Sequence, residues 1–149
     1  MELKVTLRVT AKEVFEELIH SIIFDIENST KKTIVIDELH KNFTYNKTLI
    51  NRLGNKVQAK VYITELIFEK KYSAAFETSK GTNTVEYILK NIDCGVEITY
   101  RENFTSSFSL QNWNYLFAAF VYKKRTKKKI IKNFNLLEKH ILSSKKNVS

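Results

Sequence analysis

Hydrophobic and polar residues alternate strictly in "ELKVTLRV", with Leu3, Val5, Leu7 and Val9 on one face and Glu2, Lys4, Thr6 and Arg8 on the other. That is the period of a half-buried strand. The period then changes at once. Val14, Phe15, Leu18, Ile19, Ile22, Ile23 and Ile26 recur at helical spacing and predict an amphipathic helix that ends near Asn28. Thr10 and Glu13 supply a capping box at its start, with Val9 and Val14 placed as a hydrophobic staple. "DELHK" (37–41) predicts one further helical turn.

From Asn42 to Thr105 the period is two. "NFTYNKTLINRL", "KVQAKVYITEL", "KYSAAFETS", "TNTVEYIL" and "GVEITYRENF" predict five consecutive strands. Gly54, Gly81 and Gly95 are the only glycines, and each falls between two of these segments, as hairpin turns require. The pattern is that of an antiparallel meander, and it leaves no glycine-rich phosphate loop. After Ser109 the helical period returns. Trp113, Phe117, Phe120 and Val121 form one stripe, and Ile130, Phe134, Leu137 and Ile141 form a second. With no proline or glycine between them, the reading is one long or kinked helix.

Composition narrows the class. The 149 residues fit a single domain, 1–149, rich enough in apolar residues (43%) to bury a core. One cysteine, Cys94, excludes an internal disulfide and a multi-cysteine metal site. The longest apolar run, "YLFAAFVY", is far short of the roughly 20 residues of a membrane span. The first residues do not read as a signal peptide, so the expectation is a cytoplasmic protein. The net charge of +9 is concentrated: residues 1–122 balance, and the segment 123–149 carries the whole excess.

The order strand, helix, short helix, five strands, long helix resembles the helix-grip fold of the START-like (SRPBCC) superfamily. "KVTLRVTAKEVFEEL" resembles that superfamily's opening strand and helix. "FTYNKTL", "KYSAAFETSKGTNTVEY" and "VEITYRENF" are similar to motifs of a small bacterial family known as domain of unknown function 3284. The resemblance implies an α+β domain in which a curved antiparallel sheet of six to seven strands wraps a long C-terminal helix, often over a cavity. It does not by itself select a function.

Residues two apart on a strand share a face. Tyr45 with Phe43, Tyr72 with Ala74, Tyr87 with Val85, and Tyr100 with Ile98 therefore point towards the helix. Lys47, Asn51 and Leu53 share the face of Tyr45, and Glu102 and Phe104 share that of Tyr100. Tyrosine combines apolar area with one hydroxyl that can hold a polar group; the plainer account is core filling with hydroxyls at the rim. Lys47 and Glu102 on an apolar face need partners. They could pair with each other, bind a ligand's opposite charge, or lie at the open end of the sheet with Lys47 reaching water. Glu102 as a general base would need a raised pKa. His20, His40 and His140 have no metal-ligand spacing, and Cys94 and the serines have no recognisable base. No metal, cofactor or catalytic residue is assigned.

"YKKRTKKK" (122–129) holds six positive charges in eight residues. Phosphate neutralisation would suit it, but no nucleic-acid recognition module accompanies it, which speaks against nucleic acid. Docking on anionic lipid ranks second to a solvated helix flank. The leading functional expectation is binding of an apolar or amphipathic small molecule between sheet and C-terminal helix, through Tyr45, Lys47, Tyr72, Tyr87, Tyr100, Glu102, Trp113 and Phe117. A protein- or membrane-surface interaction module comes second, and an enzyme of cyclase or hydrolase type third. Oligomeric state is left open.

Overall fold

A computed structural model describes residues 1–50, 54–106 and 113–148, with the side chains of 106, 113–126, 147 and 148 outside the description. Strand β1 (Glu2–Leu7) leads into helix α1 (Ala11–Thr30), a single 3-10 turn (Ile36–Glu38), strands β2 (Thr44–Ile50), β3 (Lys56–Ile67), β4 (Lys71–Thr78), β5 (Gly81–Ile92) and β6 (Gly95–Ser106), and helix α2 (Trp113–Val148). The six strands form one antiparallel sheet in the order β1-β6-β5-β4-β3-β2. The meander runs from β2 to β6, and β1 closes the order by pairing Glu2 with Arg101 and Leu7 with Val96.

The start of α1 follows from its sequence. Thr10 accepts from the Glu13 backbone N–H at 3.2 Å, and Glu13 accepts from the Thr10 backbone N–H at 3.0 Å, the two halves of the capping box. A third donor of the first turn, the Ala11 N–H, reaches the Asn91 side chain at the end of β5. Lys31, in a left-handed conformation, ends the helix two residues beyond the Asn28 expected from the stripe. Val14, Phe15, Ile19, Ile22 and Ile26 bury the predicted stripe, while His20 on the opposite side is exposed.

Helix α2 is a single element of 36 residues, about 54 Å long at 1.5 Å per residue. Its second predicted stripe is realised: Phe134 and Ile141 are buried, and Ile130 and Leu137 are packed against the core. The first stripe (Trp113, Phe117, Phe120, Val121) lies outside the described side chains, as do Tyr122 to Thr126 of the basic octet. Lys127, Lys128 and Lys129 are exposed. The C-terminal half of α2 is fastened to the first part of the chain by polar contacts. Glu138 accepts from the Arg8 backbone N–H at 2.8 Å, and Lys145 lies 2.8 Å from Glu13.

Hairpin chemistry departs from expectation at one turn. The β3–β4 connection contains no glycine, and Glu69 takes the positive φ (65°) there. Gly95 is required for a different reason: besides its φ of 152°, a Cβ would collide with the Leu7 backbone carbonyl. Here β1 passes too close for any side chain. On the outer face of the sheet a charge ladder runs across four strands, Glu2 to Arg101 (3.4 Å), Arg101 to Glu86 (3.1 Å) and Glu86 to Lys71 (3.9 Å).

Candidate functional site

The inner face of the sheet is built in transverse rows, because antiparallel register sets residues of neighbouring strands side by side. One row is aromatic. Tyr100 of β6 pairs with Tyr87 of β5, and Tyr87 pairs with Tyr72 of β4. Leu3 flanks Tyr100 on β1, and Leu66 flanks Tyr72 on β3. The rings touch: Tyr87 and Tyr100 stand edge to face with centroids 5.0 Å apart, and Tyr72 and Tyr87 are 5.9 Å apart. Phe134 of α2 meets both Tyr87 and Tyr100 edge-on, at 6.2 and 6.4 Å. The helix that the sheet grips therefore seats a ring on the tyrosine row. Such edge-to-face pairs contribute about 0.5–1.5 kcal/mol each beyond their burial.

The hydroxyls of the row differ. Tyr100 donates to Glu102 at 2.9 Å. Tyr72 is only 5% exposed, yet no hydrogen bond joins its hydroxyl, or that of Tyr87, to a described residue. No fully sealed side-chain nitrogen or oxygen among the described residues lacks a partner, so these two hydroxyls border accessible space. Burial pushes the Tyr87 phenol up to about 12, helped by the charge of Glu102. Burial also raises Tyr72, followed by Tyr87 and Asp25 as neighbours. Both are neutral hydrogen-bond donors at any physiological pH.

Two residues further along β6, Glu102 stands on the same face as Tyr100. Its carboxylate accepts from the Asn83 amide at 2.9 Å as well as from Tyr100. Asn83 is two residues before Val85 on the inner face of β5; the two-residue period that placed Tyr87 and Val85 would have placed it too.

A pairing of Lys47 with Glu102, one of the arrangements the sequence left open, is not formed. The two residues sit on β2 and β6, with β3, β4 and β5 between them. Lys47 instead reaches α1, with its ammonium 2.7 Å from Asp25 and 5.9 Å from the centroid of the Phe76 ring. Tyr45 donates to the other oxygen of the same carboxylate at 2.6 Å. Burial first, then this bond to Asp25, raises the Tyr45 phenol well above its ordinary value. Asp25 was not expected in the site. Its position three residues after Ile22, at the margin of the apolar stripe of α1, is the signal that would have found it.

The six described residues of the expected site thus form two groups. Tyr72, Tyr87, Tyr100 and Glu102 form a continuous row, with Phe134 seated on Tyr87 and Tyr100. Tyr45 and Lys47 meet at Asp25, under α1. Trp113 and Phe117 lie outside the described side chains, as Asn51 and Leu53 lie outside the described residues. A groove of about 360 Å³ opens between α1 and the β3–β4 hairpin, lined by Phe15, Ile19, Ile36, Leu39, Leu66 and Phe68, with Asp37 at its edge. Leu66 belongs both to this groove and to the tyrosine row, as the register partner of Tyr72. Among the described residues no three His, Cys, Asp or Glu side chains converge as metal ligands, and no helix is long and apolar enough to cross a membrane. Cys94 is exposed.

Comparison with known proteins bears on the family and the fold. A family model described as "Domain of unknown function (DUF3284)" matches residues 1–123. No curated protein sequence matches the chain. Among solved structures, Ara h 8.0201 superposes with a TM-score of 0.63 at 15% identity, over 96% of this chain and 97% of that one. NE0264 from Nitrosomonas europaea gives 0.62 at 14% identity, over 99% and 96%. TTHA0849 from Thermus thermophilus gives 0.61 at 11% identity, over 97% of each chain. At these identities the likeness is one of fold, the START-like helix grip implied by the sequence, here with six strands.

Proposed function

We propose that the chain, which belongs to the DUF3284 family and has the START-like fold, is a cytoplasmic protein that binds an apolar or amphipathic small molecule between its sheet and α2. The observation that carries this reading is the row Tyr72–Tyr87–Tyr100. Among the described residues neither the Tyr72 nor the Tyr87 hydroxyl has a protein partner, and both border accessible space, so each keeps a donor for a ligand group. A ligand oxygen or nitrogen in the space they border would satisfy them, while the ring faces and Phe134 supply contact area. The groove between α1 and the β3–β4 hairpin adjoins the row through Leu66, the register partner of Tyr72.

Native mass spectrometry of gently purified protein, compared with its denatured mass, tests this reading. Excess mass that disappears on denaturation supports it. A bare mass, together with no shift in melting temperature across a panel of amphipathic small molecules, would sink it.

A second reading rests on α2. Lys127, Lys128 and Lys129 are exposed beside an Ile131 that is 42% exposed, an arrangement suited to an anionic surface. Cosedimentation with vesicles containing phosphatidylserine, compared with neutral vesicles, tests it. Equal recovery with both vesicle types removes it.

A further inference from the structure

We propose that the ligand of the tyrosine row is a cation, a protonated amine on an apolar body, held by the Glu102 carboxylate and the rings beside it. This deepens the binding reading above and rests on it.

Charge on the inner face is the first ground. Asp25 is answered by Lys47 at 2.7 Å. Among the described residues Glu102 is answered by hydrogen bonds alone, from Asn83 and Tyr100. Among the described residues no ammonium or guanidinium lies within ion-pair distance of its carboxylate; the Met1 ammonium donates to the Glu102 backbone carbonyl instead. The two side-chain donors occupy one acceptor position on each carboxylate oxygen, so both oxygens can still accept. Asn83 and Tyr100 hold the carboxylate in one orientation on the helix-facing side of β6, where it is partly buried.

Ring geometry is the second ground. Tyr87 stands edge to face with Tyr100, and Phe134 stands edge-on to both. Rings turned roughly at right angles present faces in more than one direction, and ring faces attract cations. Because Glu102 follows Tyr100 by two residues on the same face, the carboxylate borders this cluster. Negative charge and π faces act on the same side of a bound ammonium. The hydroxyls of Tyr72 and Tyr87, which have no protein partner among the described residues, are placed to take a polar group on the ligand's body. A carboxylate or phosphate head would meet Glu102 with like charge, and Lys47 already faces Asp25.

The molecule's overall charge makes the test sharp. At +9, non-specific attraction favours anionic ligands, the opposite of the order proposed. Three fluorescent probes share one apolar body: 2-naphthylmethylamine, 2-naphthylmethanol and 2-naphthoate. Each is titrated into the full chain at pH 7 in about 0.15 M salt, where surface attraction is screened beyond about 8 Å. The amine is expected to bind about ten-fold more tightly than the alcohol, with naphthoate weakest. Glu102→Gln should lower the amine's affinity to that of the alcohol and leave the alcohol's unchanged. An alcohol or naphthoate that binds as tightly as the amine overturns the amine assignment alone. So does an amine preference that survives in E102Q. Binding of none of the three overturns the binding reading together with it. If E102Q does not fold, the ranking on the unmodified chain decides.

Discussion

The Lys47 ammonium lies 2.7 Å from the Asp25 carboxylate, tying the edge strand β2 to the helix beneath it. Both side chains are partly shielded, at 19% and 33% exposure, and Tyr45 shares the carboxylate. Removing Asp25 strands two donors, whereas removing Lys47 leaves Asp25 with Tyr45 and water. Asp25→Ala should therefore cost about 1–3 kcal/mol in urea unfolding, and Lys47→Ala less. A double-mutant cycle should give a coupling on the order of 1 kcal/mol. Equal losses for the two single variants and zero coupling would mean that the contact does not hold in solution.

Stability should fall at alkaline pH. Tyr87 is raised to about 12, with Tyr72 and Tyr45 also raised, against an ordinary value of 10.0. Above pH 10 the unfolded chain releases phenolic protons that the folded chain retains, so the folded state loses ground. The stability is complete below about pH 10 and declines as pH rises towards 12, by up to about 1.4 kcal/mol per pH unit for each such tyrosine. Ultraviolet titration at 295 nm checks this. Fewer of the seven tyrosines should ionise by pH 11 in native protein than in urea, and identical curves would contradict it.

At the first turn of α1 the sign reverses. Burial alone would raise Glu13, but hydrogen bonds from Lys145 and Thr10, with the charge of Lys145, outweigh it and hold the carboxyl below its ordinary 4.5. Its contribution is present above about pH 4.5 and lost as pH falls below that. Thr10→Ala removes the cap and should cost about 1 kcal/mol at neutral pH, a loss that shrinks in acid. Differential scanning calorimetry at pH 7 and pH 3 reads both effects.

Glycine substitutions separate conformation from contact. Gly54 has a φ of 80° with nothing within 4 Å of an added Cβ, so Gly54→Ala meets only the backbone penalty, about 1–2 kcal/mol. Gly95→Ala also drives a methyl into the Leu7 carbonyl and should separate β1 from β6 at that end. The expected result is a melting temperature lowered clearly more by G95A than by G54A. A reversed order would show that β1 yields easily.

Why some of this was legible and some was not follows from what periodicity encodes. A two-residue period assigns a face, so Tyr72, Tyr87 and Tyr100 could be placed on the helix side from β4, β5 and β6 separately. It carries no strand order, and that is why Lys47 and Glu102 could be imagined together although three strands divide them. The true partner of Lys47 came from another element, Asp25 on α1, and a helix-to-strand contact depends on how the two pack. Glycine counting succeeded at Gly95, where β1 comes too close for a Cβ. It failed at the β3–β4 turn, where Glu69 accepts the left-handed conformation unaided. Thr10 and Glu13 were legible because a capping box is wholly local.

The pairing of Glu2 with Arg101 also bears on synthesis at the ribosome. Hairpins β2–β3 through β5–β6 join neighbours and can close as they emerge, but β1 waits for a partner about a hundred residues downstream. At roughly 5–20 residues per second that wait is on the order of 5–20 s. Throughout it, the apolar side of β1 and the stripe of α1 have only a partial sheet to cover them. The alternation of Glu2, Lys4, Thr6 and Arg8 with Leu3, Val5 and Leu7 then has a second use. Charges spaced along a waiting strand discourage it from adding to another nascent chain, so the residues that become the solvent face of the finished sheet also guard its unfinished form.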